Sequence, residues 1–159
     1  MEQLEIERKF LVKTKGYLET AISKTHIVQG FLNTHPERTV RIRIKGEKGF
    51  LTVKGKGNRS GTTRFEWEKE LSKEEALPLL ELCEPVFLEK IRYEVPSGRH
   101  TFEVDEFLKQ NHGLVVAEIE LESEGEPFEK PDWLGEEVTG QVKYYNSQLS
   151  KIPYSQWND

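Results

Sequence analysis

Charged side chains at every second position of several short segments are the residues of this sequence best suited to chemistry. Glutamates stand in such pairs at Glu5 and Glu7 and again at Glu118 and Glu120, and lysine and arginine pairs occupy other segments. Carboxylates are preferred ligands of hard divalent cations such as Mg²⁺ or Mn²⁺, whereas lysine and arginine bind phosphate oxygens. Because phosphoryl transfer needs mainly charge neutralisation, in-line geometry and metal ions, these residue types are suited to that reaction.

The segments that carry these pairs have the two-residue alternation of β-strands. The strand candidates are residues 4–10, 39–45, 50–54, 63–71, 88–95, 100–107 and 115–122, with a weaker one at 26–32. Helices are few: a capping box formed by Ser72 and Glu75 predicts one over SKEEALPLLELC, and short helices are expected at 16–22 and 143–150. The pattern predicts a mainly β (α+β) fold, an eight-stranded antiparallel β-barrel with a few flanking helices.

The charged strand faces could point either into such a barrel or out to solvent. The candidates are eight acids and eight bases: Glu5, Glu7, Glu66, Glu68, Glu103, Asp105, Glu118, Glu120, Lys9, Arg41, Arg43, Lys45, Lys54, Arg64, Lys90 and Arg92. An ordinary half-buried sheet also alternates charged with apolar residues, its charged face meeting water. Here acidic and basic pairs segregate by strand, and an eight-stranded barrel can just hold side chains or one small ligand. We therefore expect an inward charged face, with the solvated face as the alternative.

Composition narrows the classes of protein. The 159 residues suit one domain, 1–159, and the net charge of −5 argues against a nucleic-acid partner. Cys83 is the single cysteine, which excludes an intramolecular disulfide and a multi-cysteine zinc site.

A charged N-terminal segment and no membrane-length apolar run predict a cytoplasmic protein without a membrane partner. Trp133, Tyr154 and Trp157 are candidates for an exposed patch that would support a homodimer, although aromatic residues in such positions more often cap the fold of their own chain.

Competing motifs are weak. GKGNRSG at residues 55–61 matches neither GxxxxGK[ST] nor GxGxxG and lies between predicted strands, which favours a hairpin loop over a phosphate loop. The four histidines show no HExxH spacing, and no GxSxG elbow occurs. These absences leave the charged strands as the main candidates for a functional site.

The order of short motifs resembles the CYTH superfamily of triphosphate tunnel metalloenzymes. The ExExK signature of that family stands here as Glu5, Glu7 and Lys9. Its companions follow in family order: QGFL at 29–32, VRIRIKG at 40–46, LTVKG at 51–55, EKIRY at 89–93, FEVDEF at 102–107 and AEIEL at 117–121. The resemblance covers nearly the whole chain and implies an eight-stranded tunnel that binds a triphosphate with Mg²⁺ or Mn²⁺.

The resemblance also implies roles for individual residues. Metal ligands are expected at Glu5, Glu7, Glu66, Asp105, Glu118 and Glu120, with Glu68 as the alternative to Glu66. Substrate-binding residues are expected at Lys9, Arg41, Arg43, Lys54, Arg64, Lys90, Arg92 and Lys143, and catalytic roles at Lys9, Lys90 and Glu118. The implied reaction is hydrolysis of inorganic triphosphate. Adenylyl cyclase, thiamine or nucleoside triphosphatase, and non-catalytic polyphosphate binding are the alternatives, since one fold serves several chemistries.

Overall fold

Among the described residues, nine β-strands are the main secondary structure. The computed structural model describes residues 4–157, so both ends of the predicted domain 1–159 lie outside the described residues. The strands are β1 (Leu4–Val12), β2 (Ser23–Asn33), β3 (Arg38–Lys45), β4 (Lys48–Gly55), β5 (Thr63–Ser72), β6 (Leu88–Ser97), β7 (His100–Phe107), β8 (Val115–Glu120) and β9 (Leu134–Glu137). The helices are α1 (Lys73–Glu81) and α2 (Asn146–Leu149), with 3₁₀ turns at Gly16–Glu19, Lys109–Asn111, Val142–Tyr144 and Tyr154–Gln156.

Eight of these strands close into an antiparallel barrel. Their order is β5-β4-β3-β2-β6-β7-β8-β1, and the first residues of β1 pair with β5, Leu4 opposite Phe65, to close the ring. The later residues of β1 pair instead with β9, Phe10 opposite Glu137. Closure leaves few unpaired strand edges, which removes the main liability of a sheet. The predicted barrel is confirmed, and β9 is a strand that the sequence pattern did not reveal.

Helix α1 covers one side of the barrel. Ser72 accepts from the Glu75 backbone N–H and the Glu75 side chain returns to Ser72, so the predicted capping box is present. Ala76 packs closely on β4: a Cβ added at Gly49 would lie 2.5 Å from the Cβ of Ala76. The two other predicted helices are shorter than expected, one of them only the 3₁₀ turn Gly16–Glu19, because helices of a turn or two gain too little to offset nucleation.

The apolar strand faces point outward and are covered by the remaining segments. Phe102 and Ile119 lie under the chain that leads into β9, where Trp133 is buried in the same cluster. Trp133 is therefore part of the core, whereas Trp157 packs edge-to-face on Tyr144, and the homodimer stays a prediction. Within residues 4–157, every helix is too short or too polar to span a bilayer.

Candidate active site

The charged strand faces point into the barrel and line a cavity of about 230 Å³. Its lining comprises Glu5, Glu7, Lys9, Phe31, Thr39, Arg41, Arg43, Lys45, Thr52, Lys54, Arg64, Glu66, Glu68, Lys90, Arg92, Glu103, Glu118, Glu120, Tyr145, Asn146 and Ser147. Thr39 and Thr52 have the same strand parity as the neighbouring bases, so the alternation could have identified them. The solvated-face alternative is thus excluded, and acids and bases share one enclosed space.

Three arginines that line this cavity carry a buried N–H group without a partner among the described residues. Within residues 4–157, the buried Nε atoms of Arg41 and Arg43 and the buried Nη2 of Arg64 find no acceptor. Burial and the nearby Arg41 and Arg92 lower the pKa of Arg43 to about 10, yet the group stays protonated at neutral pH. Buried donors without acceptors are costly, and here they belong to three residues that line one cavity. The arrangement is suited to an anion with several oxygens.

Lys90 and Arg92 form a buried network with Asp105. Arg92 Nε donates to Asp105 Oδ1 at 2.8 Å and Nη2 donates to Oδ2 at 3.0 Å, while Lys90 Nζ lies 2.8 Å from Oδ2. Burial opposes the charge of Asp105, but Arg92 and Lys90 outweigh it and hold its pKa well below the usual range. Burial lowers the pKa of Lys90 to about 8 despite that carboxylate. Asp105 thus serves as a counter-ion behind the cavity wall.

Carboxylates gather on the β1 and β8 side of the cavity. Glu7 stands directly opposite Glu120 on the neighbouring strand, a like-charge pair that destabilises a sheet unless a cation compensates. Burial and the carboxylates of Glu118 and Glu5 raise the pKa of Glu7 to about 8. Burial and Glu5 also raise the pKa of Glu120. With a pKa of about 8, Glu7 holds a proton at neutral pH, and a bound cation would favour its ionised form.

Two neighbouring acids are better paired. Glu5 accepts from Lys54 Nζ at 2.8 Å, and although burial opposes it, Lys54 lowers the pKa of Glu5. Glu118 lies 3.4 Å from Lys9 Nζ and 3.8 Å from Arg92 Nη2. Burial again opposes ionisation, but Lys9 brings the pKa of Glu118 to about 2. Both carboxylates are ionised at neutral pH.

The carboxylates on the β1 and β8 side of the cavity are suited to a hard divalent cation. All the candidate donors are carboxylate oxygens, which suit Mg²⁺ and Mn²⁺ rather than softer metals. In the described part of the chain, no group of three or more His, Cys, Asp or Glu side chains already forms a ready metal site. Glu7 nevertheless stands opposite Glu120, and a cation bound there would offset the burial and the like charges that raise the pKa of Glu7. We take these residues as the place where a cation fits.

The chain after β9 closes part of the cavity. Tyr145, Asn146 and Ser147 reach the lining, and the Tyr145 ring centroid lies 5.0 Å from Lys9 Nζ and 5.7 Å from Arg64 Cζ. This segment is fixed by a close backbone contact: a Cβ added at Gly61 would lie 2.5 Å from the Cα of Gly140, and both glycines have positive φ. Sequence analysis missed these lining residues because no local alternation marks a segment that folds back from a loop.

Comparisons with known proteins agree with this geometry. The CYTH domain family matches residues 3–155. The chain belongs to this family. The CYTH domain described here is 45% identical over 156 residues to an inorganic triphosphatase of Acetivibrio thermocellus, with 98% of each chain covered. It is 34% identical over 151 residues to an inorganic triphosphatase of Nitrosomonas europaea, covering 92% of this chain and 96% of that protein. A crystal structure of an inorganic triphosphatase superposes with a TM-score of 0.65 at 31% identity, covering 92% of this chain and 93% of the other.

Most of the residues predicted for the site line the cavity of this CYTH domain. They are Glu5, Glu7, Lys9, Arg41, Arg43, Lys54, Arg64, Glu66, Lys90, Arg92, Glu118 and Glu120. Two others lie elsewhere. Asp105, expected as a metal ligand, is held behind the wall by Arg92 and Lys90. Lys143, expected at the substrate, is exposed, with Nζ 4.6 Å from the centroid of the Trp157 ring, because the turn Val142–Tyr144 directs it outward.

Proposed function

We propose that this protein is a metal-dependent inorganic triphosphatase that hydrolyses inorganic triphosphate to pyrophosphate and phosphate. The observation that carries the proposal is the convergence of unpartnered arginine N–H groups and clustered carboxylates in one small cavity. Relatives at 45% and 34% identity carry the name of that activity. This reaction requires the protein mainly to position the phosphates and to neutralise their charge. A cavity lined with bases and carboxylates is suited to both tasks.

The carboxylates divide between metal and water. Glu5, Glu7 and Glu120 are the proposed ligands, with Glu66 and Glu118 beside them, and Mg²⁺ or Mn²⁺ bound there would neutralise phosphate oxygens and lower the pKa of water. Glu118 is ionised and held by Lys9, so its carboxylate can orient the attacking water. A pKa of about 2 makes Glu118 a weak proton acceptor, and orientation is the role that fits it.

The bases bind and stabilise the phosphates. Proposed phosphate ligands are Lys9, Arg41, Arg43, Lys54, Arg64, Lys90 and Arg92. The water oxygen forms a bond to the terminal phosphorus as the bond from that phosphorus to the bridging oxygen breaks. The electron pair leaves with pyrophosphate, and the proton of the water passes to a phosphate oxygen of the products or to solvent. Charge that develops on the bridging oxygen is stabilised by fixed cations such as Lys90 and Arg92, at no reorganisation cost during the reaction.

The lining disfavours a nucleoside as part of the substrate. Among the described residues the cavity has two aromatic side chains, Phe31 and Tyr145. Phe31 is buried, and the Tyr145 ring already faces Lys9 and Arg64. Neither offers an open face on which a base could stack, so adenylyl cyclase and thiamine triphosphatase chemistry are the less favoured activities.

The first experiment offers the pure protein inorganic triphosphate, ATP and thiamine triphosphate in turn, each with Mg²⁺ or Mn²⁺. We expect triphosphate to be cleaved with kcat/KM at least about tenfold above ATP or thiamine triphosphate. One substrate group that the site accommodates poorly, here the nucleoside or the thiamine, lowers kcat/KM by about that factor. Separation of the products by ion-exchange chromatography identifies them. Cyclic AMP as the main product, or binding of triphosphate without turnover under either metal, would refute the proposal.

The role of the arginines is tested at Arg41. We expect Arg41→Met to lower kcat/KM for triphosphate on the order of 100-fold, because one positioned charge-assisted donor is lost from the anion site. Stability should hold, since Arg41 Nε has no partner to lose within the described residues. Arg38→Met, on the same strand but exposed, is the matched control and should keep the wild-type rate. Equal rates for the two variants would remove Arg41 from the substrate site.

A further inference from the structure

The side-chain amide of Asn146 connects helix α2, in the segment after β9, to the cavity. Its Oδ1 accepts two hydrogen bonds, from Lys90 Nζ at 2.9 Å and from Gln29 Nε2 at 2.9 Å. Lys90 is 1% exposed and Gln29 is fully buried, whereas Asn146 itself reaches the cavity lining. The amide thus contacts a buried cation and, like that cation, borders the space in which we place the substrate.

Lys90 has two fixed partners. An ammonium group has three N–H bonds in tetrahedral geometry. One is directed to Asp105 Oδ2 at 2.8 Å and a second to Asn146 Oδ1 at 2.9 Å. With two directions fixed, the third N–H has a single remaining direction, and Lys90 is itself part of the cavity lining. Asp105 compensates the positive charge of Lys90, whereas the neutral amide of Asn146 fixes the orientation of the Lys90 ammonium group.

Gln29 is placed to orient that amide. Its Nε2 donates to Asn146, but its Oε1 is buried without a partner among the described residues. An unsatisfied buried oxygen costs free energy, and an apolar side chain of similar size would avoid that cost. The single bond that Gln29 makes therefore points to a role in the site rather than in stability. Because an amide oxygen with two donors is fixed in rotation, Gln29 prevents Asn146 from turning its Nδ2 towards Lys90.

The segment that carries Asn146 is itself well anchored. Leu149 is fully buried in the cluster that includes Tyr144, and Ser150 Oγ donates to the Ser147 carbonyl at 2.7 Å. Groups that align reacting atoms work best on rigid elements, because a displacement of about 1 Å can cost about 100-fold in rate. The anchoring makes Asn146 a fixed point against which Lys90 is held.

We infer that Asn146, oriented by Gln29, is a positioning residue that aims the third N–H of Lys90 at the phosphate on which charge develops. The inference rests on the proposed triphosphatase function and concerns the same cavity. It assigns to the C-terminal segment a part in the rate of the chemical step and not only in closing the barrel. A positioning residue of this kind should affect kcat more than KM, since it acts on a group that stabilises the transition state.

The main experiment measures kcat and KM for triphosphate in Asn146→Ala. We expect kcat to fall about 10- to 100-fold with KM changed less than about threefold. Gln148→Ala, on the same short helix but outside the cavity lining, is the matched control and should behave as wild type. Asn146→Asp keeps an acceptor for Lys90, so it should recover most of kcat while its added charge raises KM. Melting temperatures show that each variant is folded.

A double-mutant cycle with Lys90→Met shows whether Asn146 acts through Lys90. In that background, Asn146→Ala should cost less than about threefold in kcat, because the group it aims is already gone. The same loss in both backgrounds, or a change in KM alone, would overturn the inference. If Asn146→Ala does not fold, Gln29→Leu tests the same bond and should lower kcat severalfold with stability kept. A wild-type protein that turns over triphosphate while these variants match it would refute the inference alone, whereas an inactive wild type would refute the proposed function itself.

Discussion

Glu7→Gln is expected to lower kcat/KM for triphosphate by on the order of 10²–10³-fold while making the metal-free protein more stable. The loss of rate follows from removing a carboxylate at the proposed cation site. The gain in stability follows because Glu7 is half-buried near Glu118 and Glu5 and stands opposite Glu120, so its charge is unfavourable without a cation. A glutamine of the same shape removes that charge.

The gain in stability of Glu7→Gln should increase as pH rises. The native pKa of Glu7 is raised from 4.5 to about 8, so between these values the native state holds a proton that the unfolded state has lost. The unfolding free energy of the wild type therefore falls as pH rises through this window, whereas the variant lacks that contribution. We expect the variant to be more stable by about 2 kcal/mol at pH 8, which is less than the full free energy of such a pKa shift because Glu7 is only half-buried.

Urea denaturation with chelator at pH 5 and pH 8 measures this difference. Added Mg²⁺ or Mn²⁺ should stabilise the wild type by mass action and the variant much less. Glu81→Gln, exposed on α1, is the matched control and should change neither rate nor stability. A Glu7→Gln protein that keeps its rate within threefold, or that is less stable than the wild type at pH 8, would contradict the prediction.

Asp105→Asn should have the opposite effect on stability. The substitution keeps the shape but removes the charge that compensates Arg92 and Lys90, and a broken buried ion pair costs about 3–5 kcal/mol. The pKa of Asp105 is depressed, so its contribution is fully present above the ordinary aspartate pKa and is lost only as pH falls through the depressed native value. The part of the deficit that comes from the Asp105 charge should therefore be fully present above about pH 5 and shrink in stronger acid.

The unfolding free energy from urea titrations at pH 7 and at pH 3 gives this deficit. Asp132→Asn, exposed before Trp133, is the matched control and should be neutral. Adding Lys90→Met to Asp105→Asn should recover part of the stability, because one of the uncompensated charges is then gone. A stable Asp105→Asn protein with weakened metal affinity would instead support the ligand role that the sequence resemblance implied.

The alternation of residues within strands was enough to predict both faces of the barrel. Arg41 and Arg43 oppose Val40 and Ile42 because successive side chains in a strand point to opposite sides, and this holds in any sheet. The capping box at Ser72 was equally readable, since its two hydrogen bonds join residues three apart. Local spacing therefore determined which residues share a face and where the main helix begins.

Alternation by itself did not distinguish a wet cavity from a solvated surface. That choice depended on the pairing of Leu4 with Phe65, which closes the ring between segments some sixty residues apart. Strand β9 was not predicted because LGEE is too short and too polar to show a period, and it forms only against the edge of β1. Such long-range pairings are set by the whole sheet and not by the strand's own sequence.

The sequence by itself determined which residue types the candidate site contains: paired carboxylates suited to a cation and paired bases suited to phosphate, on one face of a barrel. Only the tertiary structure decided how these charges divide among tasks. It placed Asp105 behind the wall as a counter-ion, left Lys143 on the surface against Trp157, and brought Asn146 to Lys90 across the cavity. The physical reason is that side-chain type is a local property, whereas the partner that each charge meets depends on which distant strands and loops converge.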